Sequence, residues 1–209
     1  MRISDLFESK IPTKSFKQLY HVGNLDASKK REGSYEGAGL SVSTHPDAWR
    51  RIAKGFVTGD TYVLQKSGNK FLSANNLNKT AKSEIQQWAV KSGLLEPSIV
   101  YRVSYYDDEL DSEVYSDYDS YEQAKIEADD ESDIKKIAGS YKPTDKLKTL
   151  TKNPRMTPTS VIDYVLPLYA EELGYDGVWW QDTLDIGKFS APRGVIVPSK
   201  IATWNIQKS

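Results

Sequence analysis

The chain has 209 residues, with 28 Lys or Arg against 29 Asp or Glu, and this near-neutral balance names neither nucleic acid nor an acidic surface as a partner. It contains no apolar run near the roughly 18 residues of a membrane span and no secretory leader pattern, so one soluble, cytoplasmic domain is expected. The absence of cysteine excludes disulfides, thiol nucleophiles and thiolate metal sites, and with only His21 and His45 available no metal centre is expected.

Ile3, Leu6 and Phe7 stand at helical spacing, so residues 1–15 are read as a leader helix ending near Pro12, ahead of a single domain over 16–209. The leader resembles N-terminal segments of bacteriophage proteins, some of which are packaged in the virion; a helix docked on the domain is the plainer alternative. Residues 18–22 read as a strand, 24–39 with three glycines as a loop, and 40–44 as a strand placing Ser41 and Ser43 on one face. Thr44 followed by Pro46 is a helix-start signature, with Trp49, Ile52 and Ala53 as the apolar stripe. Strands at 61–64 and 71–72 follow, then a helix at 83–94 with Ile85, Trp88 and Ala89 on one side, and a strand carrying Tyr101, Val103 and Tyr105.

Residues 107–133 hold thirteen acidic residues and one lysine, a formal −12, whereas residues 134–155 hold seven basic residues and one aspartate, a formal +6. Residues 107–153 are therefore read as an acidic insertion, folded back on itself or mobile, with a helix near 121–128 and little apolar burial. A helix is expected over 159–173, with Pro158 near its start, Gly174 beyond its end and Pro167 predicting a kink. Strands at 177–180, 194–197 and about 202–206 complete the chain. Trp179 and Trp180, consecutive on a strand, must face opposite sides, so one is expected to be buried and the other to meet a loop, a ligand or solvent.

An imidazole such as His21 can donate one hydrogen bond to a ribose hydroxyl and accept another, although a lone strand histidine is as readily a satisfied structural residue. Ser41, Ser43 and Thr44 precede a helix start, whose backbone N–H groups favour an anion such as a pyrophosphate. The acidic span reads first as a solvated face and second as a surface that occupies a nucleic-acid-binding partner.

Tyr20-His21-Val22-Gly23 resembles the opening motif of the histidine class of ADP-ribosyltransferases, and residues 39–44 followed by Ala48-Trp49 and Ile52-Ala53 resemble that family's second motif. Gly174-Tyr175-Asp176-Gly177-Val178 and residues 195–201 are similar to the C-terminal part of phage-associated members. The resemblance covers about residues 18–64 and 160–206. It implies an α+β fold of two packed, mainly antiparallel sheets with flanking helices, NAD in the cleft between them as the substrate, and transfer of ADP-ribose to a host protein or nucleic acid. It also implies that His21, with Val22 and Gly23, meets the adenosine-side ribose and that Ser41, Ser43 and Thr44 shape the nicotinamide pocket. Aligning Pro198-Ser199 on the family's Pro-Ser puts Pro192 where the catalytic glutamate normally stands. The carboxylate is then expected from Asp182 or Asp185, with Gln181 hydrogen-bonding a ribose and Arg193 pairing with the pyrophosphate through two parallel donors. Two further functions stay open: a degenerate member that binds without chemistry, and a structural or inhibitory phage protein acting through its acidic surface.

Overall fold

The computed structural model describes residues 11–26, 39–52, 59–107, 111–151, 161–184 and 191–209. Residues 1–10 of the expected leader helix, Asp185 and the side chain of Trp49 lie outside the described residues. In chain order the elements are Thr13–Lys14 (β1), Leu19–Val22 (β2), Leu40–Val42 (β3), the helix Pro46–Ile52 (α1), Thr61–Gln65 (β4), Phe71–Ser73 (β5) and the helix Lys79–Lys91 (α2). Leu95–Asp107 (β6), Ser112–Tyr118 (β7), the helix Tyr121–Glu127 (α3), Ile134–Pro143 (β8) and the helix Asp145–Thr151 (α4) follow. The helix Val161–Glu172 (α5) then leads to Gly177–Gln181 (β9), Arg193–Ile196 (β10) and Asn205–Lys208 (β11). Among the described residues no helix is long and apolar enough to cross a membrane.

These elements make a mixed α+β protein with three sheets. The largest runs β1-β5-β9-β10-β3 and is antiparallel except for the parallel pair β5 and β9. The second, β11-β4-β2, and the third, β7-β6-β8, are antiparallel throughout.

The period-2 alternation of β9 explains how the layers stack. Val178 and Trp180 enter a cluster with Ile85 and Ala89 of α2 and Val165 and Tyr169 of α5, while Trp179 between them packs with Leu19, Leu64 and Trp204 on the side of the second sheet. Leu72 and Phe71 of β5, and Val195 and Ile196 of β10, divide in the same way. The large sheet is thus covered on both faces, and both tryptophans are buried, Trp179 completely and Trp180 to 8% exposure. The expectation that one of them meets solvent or a loop fails because α5 covers the second face, where the Trp180 indole N–H donates to Asp163. β9 and β10 also approach too closely for side chains at two points. A Cβ on Gly177 would lie 1.8 Å from the Val195 carbonyl oxygen, and one on Gly194 would lie 2.4 Å from the Trp179 ring.

Several boundaries move for local reasons. α2 starts at Lys79 rather than near 83 because the Asn78 side chain caps it, accepting the Ala81 N–H at 2.8 Å. The final strand begins at Asn205 because Pro198–Thr203 winds into a 3₁₀ helix with proline in its first turn. Residues 13–14, assigned to the leader helix, pair as β1 with β5.

The charged region differs most from its reading. β6 begins at Leu95, twelve residues before the expected insertion boundary, and pairs with acidic β7 on one side and basic β8 on the other. The two charged stretches do fold back, on opposite edges of one sheet. Val100, Val103 and Ala124 are buried there, and Leu147 of α4 joins the main core, which is more apolar burial than the charge pattern suggests.

Candidate functional site

β2 belongs to the second sheet and β3 to the large one, and they meet at a single antiparallel bridge. The Tyr20 N–H donates to the Ser43 carbonyl at 2.8 Å and the Ser43 N–H to the Tyr20 carbonyl at 2.9 Å. The buried Ser43 hydroxyl donates to the Pro192 carbonyl at the entry to β10 and accepts the His45 N–H at 3.0 Å, closing the turn into α1. His21, Ser41, Ser43 and Pro192 are therefore brought to one seam from three distant segments.

His21 is 8% exposed, with Nδ1 2.8 Å from the Ser41 carbonyl oxygen and Nε2 3.1 Å from that of Asn24. Both carbonyls can only accept, so a neutral ring donates its one N–H to one of them and packs against the other between the loop after β2 and β3, with the Tyr62 ring stacked beside it at 6.3 Å. Both ring nitrogens face backbone carbonyls, so the imidazole acts here as an organiser of backbone. Val22 is buried, and Gly23, at φ 124°, donates its N–H to the Asp60 carbonyl at 3.0 Å. The Thr44 hydroxyl meets His45 Nδ1 at 2.9 Å.

Gln181 stands opposite Arg193 in the β9–β10 register, and its side chain donates to the Ala191 carbonyl at 3.0 Å, tying both ends of the intervening loop together. Burial pulls the Arg193 guanidinium below its ordinary pKa. Asp182 goes elsewhere. It forms an ion pair with Lys14 of β1 and accepts the Trp179 indole N–H at 2.8 Å. The Lys14 hydrogen bond is the chief cause holding the Asp182 carboxyl below the usual carboxylate range, with the Trp179 bond adding to it. Because β1 and β3 are opposite edges of the large sheet, this carboxylate is drawn away from the seam toward the far edge. Asp185 lies outside the described residues.

Sequence reasoning missed Asp176. Its buried carboxylate accepts the Lys70 N–H at 2.9 Å and the Lys66 ammonium, its own N–H donates to the Lys70 carbonyl at 2.8 Å, and its carbonyl accepts the Val197 N–H at 2.9 Å. The signal was present, since a carboxylate between Tyr175 and Gly177 at the start of an apolar strand must find donors. Lys14 carried no such signal. Cavities among the described residues lie away from the seam, among them a polar one of about 470 Å³ beside Glu96, Lys142 and Asp145, an apolar one of about 400 Å³ between Trp88 and Tyr169, and one of about 220 Å³ beside Tyr118 and Ile126. No group of three or more potential metal ligands occurs among the described residues. No family model matches the chain, and no curated protein or solved structure matches it either.

Proposed function

We propose that the chain is a phage-encoded ADP-ribosyltransferase-like protein that binds NAD at the seam and passes ADP-ribose to a host macromolecule, a protein or a nucleic acid. The supporting observation is the junction at Ser43. This residue bonds the histidine strand through its backbone and the Pro192 segment through its hydroxyl, which supports a site formed where those two segments and the second motif meet. NAD brings an N-glycosidic bond that breaks as nicotinamide leaves. On the protein side, His21 fixes the Asn24 and Ser41 carbonyls beside the adenosine-side ribose, Ser43 and Thr44 wall the nicotinamide end, and the half-buried Arg193 guanidinium offers two donors to the pyrophosphate. The carboxylate comes from Asp182, which must first leave both Lys14 and the Trp179 indole to reach the seam, or from Asp185.

Calorimetric titration with NAD and a nicotinamide-release assay in host extract test this reading. Asp182→Ala should lower release by about 10²–10³ while leaving NAD affinity within about twofold, because the carboxylate acts on charge developed in the transition state. His21→Ala should weaken both. A parent protein that binds no NAD rejects the proposal. The pairing of Asp182 with Lys14 favours a second reading, a member of the same group that binds the dinucleotide without transfer. NAD affinity without nicotinamide release, unchanged by Asp182→Ala, establishes that one.

A further inference from the structure

One face of the β7-β6-β8 sheet is open along its Arg102–Tyr106 half, beyond Val100, which lies on the same side and is buried. Residues directly opposed across an antiparallel pair share a face, and Arg102↔Asp117, Ser104↔Tyr115 and Tyr106↔Glu113 define one. α3 packs on the other, where Tyr121 meets Tyr101 edge-on at 5.6 Å and Ala124 is buried. On the open face Tyr106 and Tyr115 remain 59% and 52% exposed. A single exposed ring needs no explanation, but two diagonal tyrosines bordered by Asp111 and Glu113, next to the buried Asp117 carboxylate that Arg102 holds, form a patch with the composition of an interface, aromatic within and charged at its edge.

This face already holds one guanidinium. Arg102 lies over the Tyr115 ring with its Cζ 3.7 Å from the centroid, and its Nε and Nη2 donate to the two Asp117 oxygens at 2.7 and 2.9 Å. A planar cation with parallel donors can stack on a ring and fork onto a carboxylate together, whereas an ammonium cannot do both. Further along the same face, Tyr106 and Glu113 again set a ring beside a carboxylate, here directly opposed across β6 and β7 rather than two residues apart on one strand, and no Lys or Arg of the described residues forms an ion pair with Glu113. The surrounding span, residues 107–133, carries a formal charge of −12, part of it on α3 behind the sheet, while Lys135 of β8 stands opposite Arg102 on this face.

We propose that this face is a docking surface for an arginine-bearing segment of a basic protein partner, whose guanidinium groups take the Tyr106–Glu113 position as Arg102 takes the Tyr115–Asp117 one. The carboxylates attract the partner over distance and the rings select arginine over lysine. The surface is independent of the NAD reading.

The test is a fluorescence-polarisation titration of the full chain with labelled oligo-arginine and with oligo-lysine of equal length. Oligo-arginine should bind about tenfold tighter, with both affinities falling as salt rises. Tyr106→Ser, which changes no charge, should weaken oligo-arginine by about three- to tenfold and leave oligo-lysine unaffected. Glu113→Gln, which preserves side-chain shape, gives a second route to the same preferential loss should the serine variant disturb the sheet. Equal affinity for the two peptides, both variants binding oligo-arginine like the parent, or preferential binding of duplex DNA would overturn the proposal and leave a solvated acidic face.

Discussion

Asp176, immediately before β9, joins two further segments: its buried carboxylate holds the turn at residues 66–70 and its main-chain carbonyl holds the residue after β10. Replacing it with alanine strands the Lys70 N–H and removes the partner of Lys66, whose own side chain is partly solvated. Asp176→Ala should therefore destabilise the protein by about 2–3 kcal/mol, below the full cost of breaking a wholly buried pair, as read from urea midpoints. Asp163 acts in the opposite sense. Burial raises its carboxyl pKa, outweighing the Trp180 hydrogen bond and the Lys82 charge that pull it down. A folded-state pKa above the unfolded one means that the native protein holds the proton more tightly, so stability declines as pH rises from the ordinary aspartate value, about 4, through the raised one. Asp163→Asn keeps an acceptor for the Trp180 N–H and removes that charge. It should flatten the decline and raise the midpoint at pH 7 relative to the parent, and an unchanged pH profile would remove Asp163 as its source. At this scale the candidate site was half legible. Ser43 could be singled out as a hydroxyl ahead of a helix start, yet its acceptor, Pro192, lies 149 residues away, and no local pattern encodes such a partner. Asp182 was legible as a loop carboxylate, but its pairing with Lys14 depends on β1, two residues long and without periodicity.

Among the elements, β2, β4, β9 and α5 were readable because burial imposes their periodicity. β7 and β8 were not. Asp and Glu are poor strand formers, and Ser-Glu-Val-Tyr-Ser-Asp-Tyr reads as loop until β6 supplies a full antiparallel register beside it. Long-range pairing overrides propensity in that strand. The same geometry orders its stability: β6 is hydrogen-bonded on both sides, whereas β7 and β8 each pair only with β6 among the described residues. In native-state hydrogen exchange, the β6 amides from Tyr101 to Val103 should be the slowest of this sheet, with β7 exchanging faster. Uniformly fast exchange across all three strands would show that the region is held far more loosely than its ladder implies.

For the molecule as a whole, the α+β class was expected from the family resemblance and the opposed facing of Trp179 and Trp180 from strand alternation, while the burial of both tryptophans, the third sheet and the sheet order were not legible. Order is a matter of which distant strands meet, and that information lies in packing complementarity spread over the chain. One consequence concerns synthesis. β9 is the middle strand of the large sheet, with β5 on one side and β10 on the other, and β11 completes the second sheet. β2 can pair with β4, and β1 with β5, without any later strand, but β3 and β5 have no centre of the large sheet to assemble on until residue 177 and beyond have been made. Phe71, Leu72 and Leu40 wait as exposed apolar groups for most of translation, and native contacts of such long sequence separation form late. Residues 177–209 thus supply β9, β10 and β11, the strands that join the hairpins and helices before them into one cooperative unit.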